Sequence, residues 1–460
     1  MKTTRRSFLK RSAAAAGVAA VPYIFTAQRA VAQDANSRPT IAAIGVGGSR
    51  AAYGRGGKVA RTAAAFGDMI AVCDCDAVHN DEFSDKHFEG RLRKYVDYRD
   101  LFDKEKPDVV TIGTNDHWHV PIAVAAMHAG CDVYCEKPLT LTIDEGKIIE
   151  RVVKKTGCVF QVGTQQRSEC GQNFLKAIAM VQSGRLGDDV NAYVAIGNPP
   201  TNGGFTPEPI PEGLDWDLWL GPAQAAPYMH KRRRDSRWFM EYSGGKMTDW
   251  GAHHIDIAMW ALGQQETGPT TVDPLAGKFP QMVPEGFDFA AYFAGEAELP
   301  HTFNTAYDFS IDLNFASGQK INVNGAYKSD DGKTAFPNGI LFVGSKGRIF
   351  VNRGRLSGSP VEALTAADNA ELNEAIDKLY RGKPREGHMK NFFDCLVDRS
   401  LPVSDVYTHH RTMTSCHLCN IALMLGRKLE WDPRAENFGS DAAAQALASR
   451  PQREKYRTVE

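Results

Sequence analysis

At 460 residues, with 43 % hydrophobic and 24 % charged side chains, the chain has ordinary globular composition and room for two or three domains. That excludes a disordered chain, a collagen-like repeat and a small disulfide-stapled scaffold. A formal net charge of −1 gives the whole protein no electrostatic basis for holding nucleic acid, but it conceals an asymmetry. Residues 1–32 carry Lys2, Arg5, Arg6, Lys10, Arg11 and Arg29 and no acid, so the body that follows is mildly acidic.

The first 32 residues read as a leader. Thr4-Arg5-Arg6-Ser7-Phe8-Leu9-Lys10 is a twin-arginine pattern, and Ser12 to Phe25 is a weakly apolar run. That run is shorter than the roughly 20 residues needed to span a bilayer. Ala30-Val31-Ala32 offers a small-residue cleavage site before Gln33. The whole is similar to leaders of the Tat pathway, which implies the Tat machinery as a partner, export of an already folded protein, a periplasmic destination and no stable membrane insertion after cleavage. The competing reading is a basic amphipathic start to a cytoplasmic enzyme.

From Thr40 short apolar runs alternate with helix-period segments. Ile41–Ile44, Met69–Val72, Asp108–Ile112, Asp132–Cys135 and Val159–Val162 read as strands, with helices at Val120–Ala129 and Asp144–Lys155 among the connections. Such alternation predicts a parallel sheet covered on both faces. Beyond about residue 190 the texture changes. Tyr193–Ile196, Thr305–Leu313, Ile321–Val323, Ile340–Val343 and Arg348–Val351 read as strands with few helices between, predicting a large open, mostly antiparallel sheet. Asn198–Pro211 reads as a long loop, and helical patterns return at Gly387–Val397 and His409–Leu425. The expected division is a leader at 1–32, an α/β nucleotide-binding domain at 38–165, an α+β domain for substrate and oligomerisation at 166–405, closing helices packing back at 406–435 and an extended tail at 436–460. Nine cysteines form no regular framework, and Cys416 and Cys419 are expected to be buried thiols rather than a redox pair or half a zinc site. No metal site is expected.

Gly45-Val46-Gly47-Gly48 follows the first strand and is expected to open a helix, letting the backbone approach a pyrophosphate. The third position of the G-x-G-x-x-G pattern holds Arg50. Asp74 closes the second strand, where a carboxylate binds an adenosine ribose and repels a 2′-phosphate, favouring NAD over NADP. Tyr134-Cys135-Glu136-Lys137-Pro138 ends what reads as the fourth strand, at the carboxyl edge of the sheet. In the run Gly244–Leu262, a continuous helix would place Asp249, His253 and Asp256 on one face. A lysine facing an Asp/His stripe is what proton transfer beside a hydride donor requires.

These segments together resemble the Gfo/Idh/MocA oxidoreductases, from Thr40 to about Pro433, including Thr114-Asn115-Asp116-His117-Trp118-His119 and Leu425-Gly426-Arg427-Lys428-Leu429. Asn115 stands where that family usually has proline. The resemblance implies a Rossmann domain, a second domain on a large open sheet, an NAD(P) cofactor, sugar or polyol substrates, and a homodimer or homotetramer. It implies Lys137, Asp249 and His253 as the catalytic group. Gly45, Gly47, Gly48, Asp74, Thr114, Asn115, His119, Glu136 and Lys137 would line the cofactor. In chemical terms His253 has the intrinsic pKa of an acid/base, Lys137 stabilises an oxyanion, and Asp249 orients the hydroxyl or the lysine. His254 points elsewhere and is expected to be structural, and Asp256 to form a helix-face ion pair. Trp118, Gln165, Arg167, Trp250 and Trp238 are softer candidates for sugar contacts. Asp215–Leu220 reads as a domain-packing segment, and Lys231–Arg234 as a solvated loop rather than a binder of acidic groups. An exported enzyme has no replenished nicotinamide pool, so the cofactor is expected to be tightly bound and regenerated in each cycle. Either a second carbonyl compound reoxidises it, or a transient keto-sugar undergoes elimination or hydrolysis and takes the hydride back, as in a redox-neutral glycosidase or lyase. A non-catalytic sugar-binding protein is the remaining alternative.

Overall fold

The computed structural model describes residues 38–329 and 332–460. The expected leader lies outside the described residues. β1 (Thr40–Ile44), β2 (Asp68–Cys73), β3 (Arg93–Tyr95), β4 (Val109–Ile112), β5 (Asp132–Cys135) and β6 (Phe160–Val162) form a parallel sheet in the order β3-β2-β1-β4-β5-β6. Val109-Val110-Thr111-Ile112 is buried throughout because helices cover both faces. β3 escapes the sequence reading: it is a short edge strand, Arg93-Lys94-Tyr95, with its two cations exposed. The strand that leads to Lys137 is therefore the fifth. The strand order reverses between β1 and β4, which opens a crevice at their carboxyl ends. Several helices of this half begin on side-chain caps. Asp76 accepts from Val78 N–H at the start of Ala77–Phe88, and Thr142 accepts from Glu145 N–H at the start of Ile143–Thr156.

The second sheet comprises β7 (Asn191–Ile196), β8 (Thr271–Lys278), β9 (Asp308–Asn314), β10 (Lys320–Asn324), β13 (Asn338–Gly344), β14 (Gly347–Val351), β15 (Leu356–Ser357) and β16 (Leu429–Glu430), with a small hairpin of β11 (Tyr327–Lys328) and β12 (Ala335–Phe336) beside it. Its order is β15-β14-β13-β7-β10-β9-β8-β16. It is mostly antiparallel, with β7 and β10 running parallel. β8 carries Pro274 and shifts register there, which hid it from strand-pattern reading. The helices Asn173–Gln182 and Gly251–Ala261 bury their apolar residues with β7, β9, β10 and β13 in one core. β9 shows why the face is unambiguous, since its burial alternates strictly along Asp308–Asn314.

The Val406–Leu425 helix joins the two halves, packing on Ile143–Thr156, Gly251–Ala261 and β8. Cys416 and Cys419 are buried within it as free thiols, and burial pushes both well above the ordinary thiol range. Residues 436–460 differ from the expected extended tail. They form a short helix, Ala442–Ala446, and then cross the nucleotide-binding half. Arg453, Lys455 and Tyr456 converge on Asp217, and the Tyr456 ring packs edge-on against Trp118. Asp215–Leu220 does pack between the halves: Leu218 belongs to the Rossmann-side core, while Trp216 stacks on Trp219 at 4.5 Å.

Candidate active site

The crevice is a cleft of about 570 Å³ lined by both halves of the chain. Its Rossmann wall starts with Gly45 and Gly47, at φ +75° and +64°. The helix does not open directly after Gly48, as the sequence suggested. It begins at Arg55, so a six-residue turn intervenes. The helix nevertheless approaches the sheet as closely as the missing third glycine would allow, because Gly56 supplies the contact. A Cβ at Gly56 would stand 1.8 Å from the Gly45 carbonyl oxygen, and one at Gly113 would stand 2.4 Å from Gly56 Cα. These three glycines are required by backbone packing.

Asp74 is 9 % exposed at the end of β2. Its Oδ2 accepts the Gly47 N–H at 3.0 Å and its Oδ1 the Asp76 N–H at 3.0 Å. Burial alone would raise the carboxyl, but these bonds and His79 hold it below the usual range. The carboxylate thus braces the glycine turn while facing the cleft. Thr114, at the end of β4, presents a buried Oγ1 with no hydrogen-bond partner among the described residues. His119 braces that corner, its ring nitrogens lying 2.7 Å from the Pro138 carbonyl and 3.1 Å from that of Thr114. Asn115 Nδ2 donates to Ser236 Oγ at 2.6 Å, which ties the β4 loop to the other half.

Across the cleft, β5 delivers Glu136 and Lys137. Glu136 accepts from Arg55 and from Gln165 Nε2, each at 2.9 Å. Lys137 Nζ donates to Asp249 Oδ1 at 2.6 Å and to the Asp249 carbonyl at 2.9 Å. Arg237 reaches the other carboxylate oxygen at 3.2 Å. Burial works against the Asp249 charge, yet Lys137 and Arg237 hold its carboxyl at about 2. His253 lines the same cleft, 4 % exposed, with Nδ1 buried and unpartnered among the described residues. Burial, with Lys137 next, pushes this imidazole well below its ordinary pKa, so it is neutral at neutral pH.

The run expected as one helix is two, Gly245–Asp249 and Gly251–Ala261, abutting at Trp250. Asp249 and His253 still converge. Asp256 does not join them: it is fully buried and pairs with Arg167 through two bonds, of 2.6 and 2.8 Å. Arg167 is therefore no sugar ligand. Its guanidinium also donates to the Val403 carbonyl and Thr408 and lies over the Trp260 ring. Trp118 does not offer its polar atom either, because its indole N–H is spent on the Leu218 carbonyl at 2.9 Å. Its ring nevertheless lines the cleft, as do Gln165, Trp238 and Trp250. His254 is structural, bonded to Gln166 and Asn338. Lys231–Arg234 is not a solvated loop but part of the His230–Arg234 helix; Arg232 and Arg233 are buried, and Arg233 pairs with Asp76 at 2.6 Å. Sequence reasoning missed Arg55, Arg237, Lys246 and Arg353 at the cleft. Lys246 lay three residues from Asp249 and could have been found. Arg353 arrives from the turn after β14, and nothing in its local sequence signals that.

Two family models match the chain. One, an oxidoreductase family with an NAD-binding Rossmann fold, covers residues 40–164; the other, the C-terminal alpha/beta domain of that family, covers 201–281 and 296–458. The chain belongs to the Gfo/Idh/MocA oxidoreductase family. Among curated relatives, the inositol 2-dehydrogenase of Salmonella typhimurium is 33 % identical over 159 residues, which is 33 % of this chain and 46 % of that protein. The D-glucoside 3-dehydrogenase of Escherichia coli is 24 % identical over 196 residues, 43 % of this chain and 47 % of that protein. The chain thus spans about half the length of the curated relatives it matches. A crystal structure of the WlbA dehydrogenase from Bordetella pertussis, in complex with NADH and UDP-GlcNAcA, shares the fold at a TM-score of 0.58 and 16 % identity, covering 86 % of this chain and 98 % of that one. The residues present fit a dinucleotide. A turn of glycines sealed against Cβ atoms, a carboxylate at the end of β2, and the unpartnered Thr114 Oγ1 and His253 Nδ1 all line one cleft.

Proposed function

We propose that the protein is an NAD-dependent oxidoreductase acting on a carbinol of a sugar or polyol, working in the periplasm after Tat export, as a homodimer or homotetramer, with its cofactor tightly held. The observation that carries the reading is the Lys137–Asp249 ion pair of 2.6 Å beside a neutral, buried His253, in the cleft that the glycine turn opens. Gly45, Gly47, Asp74 and Thr114 would hold the dinucleotide, and Asp74 favours an unmodified adenosine ribose. The nicotinamide, when bound, supplies the hydride acceptor. Lys137 donates a hydrogen bond to the substrate oxygen and stabilises the charge that grows on it. His253, neutral at working pH, accepts the hydroxyl proton, provided its ring comes within about 3 Å of that oxygen. Asp249 fixes the lysine. The activities of the related inositol and glucoside dehydrogenases support a polyol or sugar as substrate. The leader pattern at Thr4–Lys10 and Ala30–Ala32 supports export.

The test is purification from the periplasm without added cofactor, followed by extraction and near-UV spectroscopy. Released NAD(H), whose reduced band responds when sugars or polyols are added to the intact protein, is the expected result. Protein that is recovered from the cytoplasm, or is empty and turns over only with free NAD, removes the export and retention parts. Turnover undiminished in Lys137→Ala removes the assigned chemistry.

A further inference from the structure

The C-terminal side of the cleft is more basic than proton transfer needs. Facing Lys137, which reaches across from the end of β5, it presents Arg237, Lys246 and Arg353. Arg237 and Lys137 share the single carboxylate of Asp249, and Arg237 also lies over the Tyr53 ring at 4.3 Å. Lys246 is half-buried on the same short helix as Asp249 and has no ion pair among the described residues. Its Nζ lies 5.5 Å from the Trp238 ring centroid, and a Cβ added at Gly197 would stand 3.6 Å from it. Burial pushes this ammonium down, opposed by Asp249 and assisted by Arg237 and Lys137. Arg353, exposed at the rim, stacks on Trp250 at 4.5 Å and donates to Gln166 Oε1 at 3.1 Å; it too has no carboxylate partner among the described residues. Of the other acids beside Lys137, Asp116 accepts from Ser243 and is pushed up by burial, and Glu136 is committed to Arg55.

Lys137, Arg237, Lys246 and Arg353 therefore meet the single carboxylate of Asp249, while Glu136 and Asp116 are engaged by Arg55 and Ser243. A neutral sugar asks a pocket for mixed donors and acceptors, whereas ammonium and guanidinium groups offer donors and charge alone. Covering them with a neutral ligand would strip water from Lys246 and return hydrogen bonds but no counter-charge. Building on the oxidoreductase reading, we propose that the substrate is an anionic carbohydrate, whose carboxylate or phosphate is held by Lys246, with Arg353 at the rim, while its carbinol meets Lys137 and His253.

The test measures binding to the purified holoprotein by tryptophan fluorescence, and kcat/KM alongside it. The ligands are methyl glycosides of the gluco, galacto and manno series, the corresponding methyl uronides, and the 6-phosphates. Within at least one series the anionic member binds tenfold or more tightly than the neutral one, with the preference shrinking as salt is raised. Uronide and phosphate arms separate the two anions. Lys246→Met lowers the anionic-to-neutral ratio about tenfold, Lys246→Arg restores most of it, and Arg353→Gln, at an exposed position that carries little folding burden, lowers it a few-fold. Equal or tighter binding of every neutral member, absence of binding across the panel, or a ratio indifferent to Lys246 overturns the proposal. Lys246-dependent binding without hydride transfer would leave it standing and defeat the oxidoreductase reading; turnover of neutral sugars regardless of Lys246 would do the reverse.

Discussion

Lys137 and Asp249 meet at 2.6 Å although 112 residues separate them, one at the end of β5 and the other on the helix that precedes Gly251–Ala261. One ammonium thereby spans the cleft and touches both halves of the fold. Lys137→Met leaves Asp249 with Arg237 alone and, on the proposed mechanism, removes the oxyanion donor. The expected loss in kcat/KM is about 10²- to 10⁴-fold, the range for a positioned proton-handling or oxyanion group. Asp249→Asn should cost less, since an amide oxygen still accepts from Nζ. The double variant should fall short of the product of the two losses, because both changes remove one interaction. Full additivity would show that the pair is not a functional unit.

The neutral state of His253 sets the pH dependence. Its pKa is lowered by burial first and by Lys137 second. A base with a lowered pKa stays deprotonated as the pH falls, so it is lost only below that lowered value. The acid limb of kcat/KM for oxidation should therefore lie well below pH 6.5, with a flat profile through neutrality. His253→Gln should lower the rate by about 10²- to 10⁴-fold and remove that limb. An inflection near 6.5 that survives in the variant would assign the titration to another group.

Asp74 holds the Gly47 N–H as well as facing the cleft. Replacing it with serine keeps a short acceptor but removes the charge. NAD affinity should fall about 10- to 100-fold, the worth of a charged hydrogen bond, and the discrimination against NADP should shrink. Isothermal titration of the stripped protein with both dinucleotides gives the two affinities. Unchanged discrimination would place selectivity on Arg50 and Arg233, which flank Asp76.

The parallel sheet was legible because its strands are short apolar runs closed by glycine or acidic residues, and the second sheet because β9 alternates strictly. What sequence could not show is mostly long-range. β3 is charged and short, so it carries no apolar signal. Arg167 looked like a ligand because it follows Gln165, yet its fate depends on Asp256, 89 residues away. Arg232 and Arg233 look solvated in a run of four cations, but Asp76 and the Phe239 ring are brought to them by the chain's return. The glycine pattern failed at Arg50 because the turn is longer than the motif assumes, and Gly56 takes the vacant packing role. Lys137, Asp249 and His253, which the structure brings to one cleft, could be picked out because each sits in a compact motif; Arg353 could not, because only tertiary structure brings it near.

The Arg167–Asp256 pair offers a test of structure without chemistry. Both side chains are almost wholly buried, so removing one leaves the other charged in a dry site. Arg167→Met should destabilise by about 3–5 kcal/mol in chemical denaturation. At temperatures where the variant stays folded, kcat/KM should remain within a few-fold of the parent. A selective loss of substrate affinity at full stability would return Arg167 to the binding site.

Glu145 makes the opposite electrostatic case and gives a stability prediction with a defined sign. It is 5 % exposed, accepts the Leu141 N–H at 2.6 Å, and its carboxyl is pushed up to about 7, chiefly by burial. A carboxyl whose folded pKa exceeds its unfolded value near 4.5 binds its proton more tightly in the native state. The stability it contributes is complete below pH 4.5 and disappears as the pH rises through 7. Glu145→Gln keeps an acceptor for Leu141 and abolishes the titration. The variant should match the parent at pH 4.5 and exceed it at pH 8 by up to about 3 kcal/mol, from the linkage between pKa shift and folding. Denaturant melts at the two pH values decide the matter: a variant less stable at pH 8 would mean that the ionised carboxylate has a cationic partner, with Arg450 the nearest candidate by its electrostatic coupling.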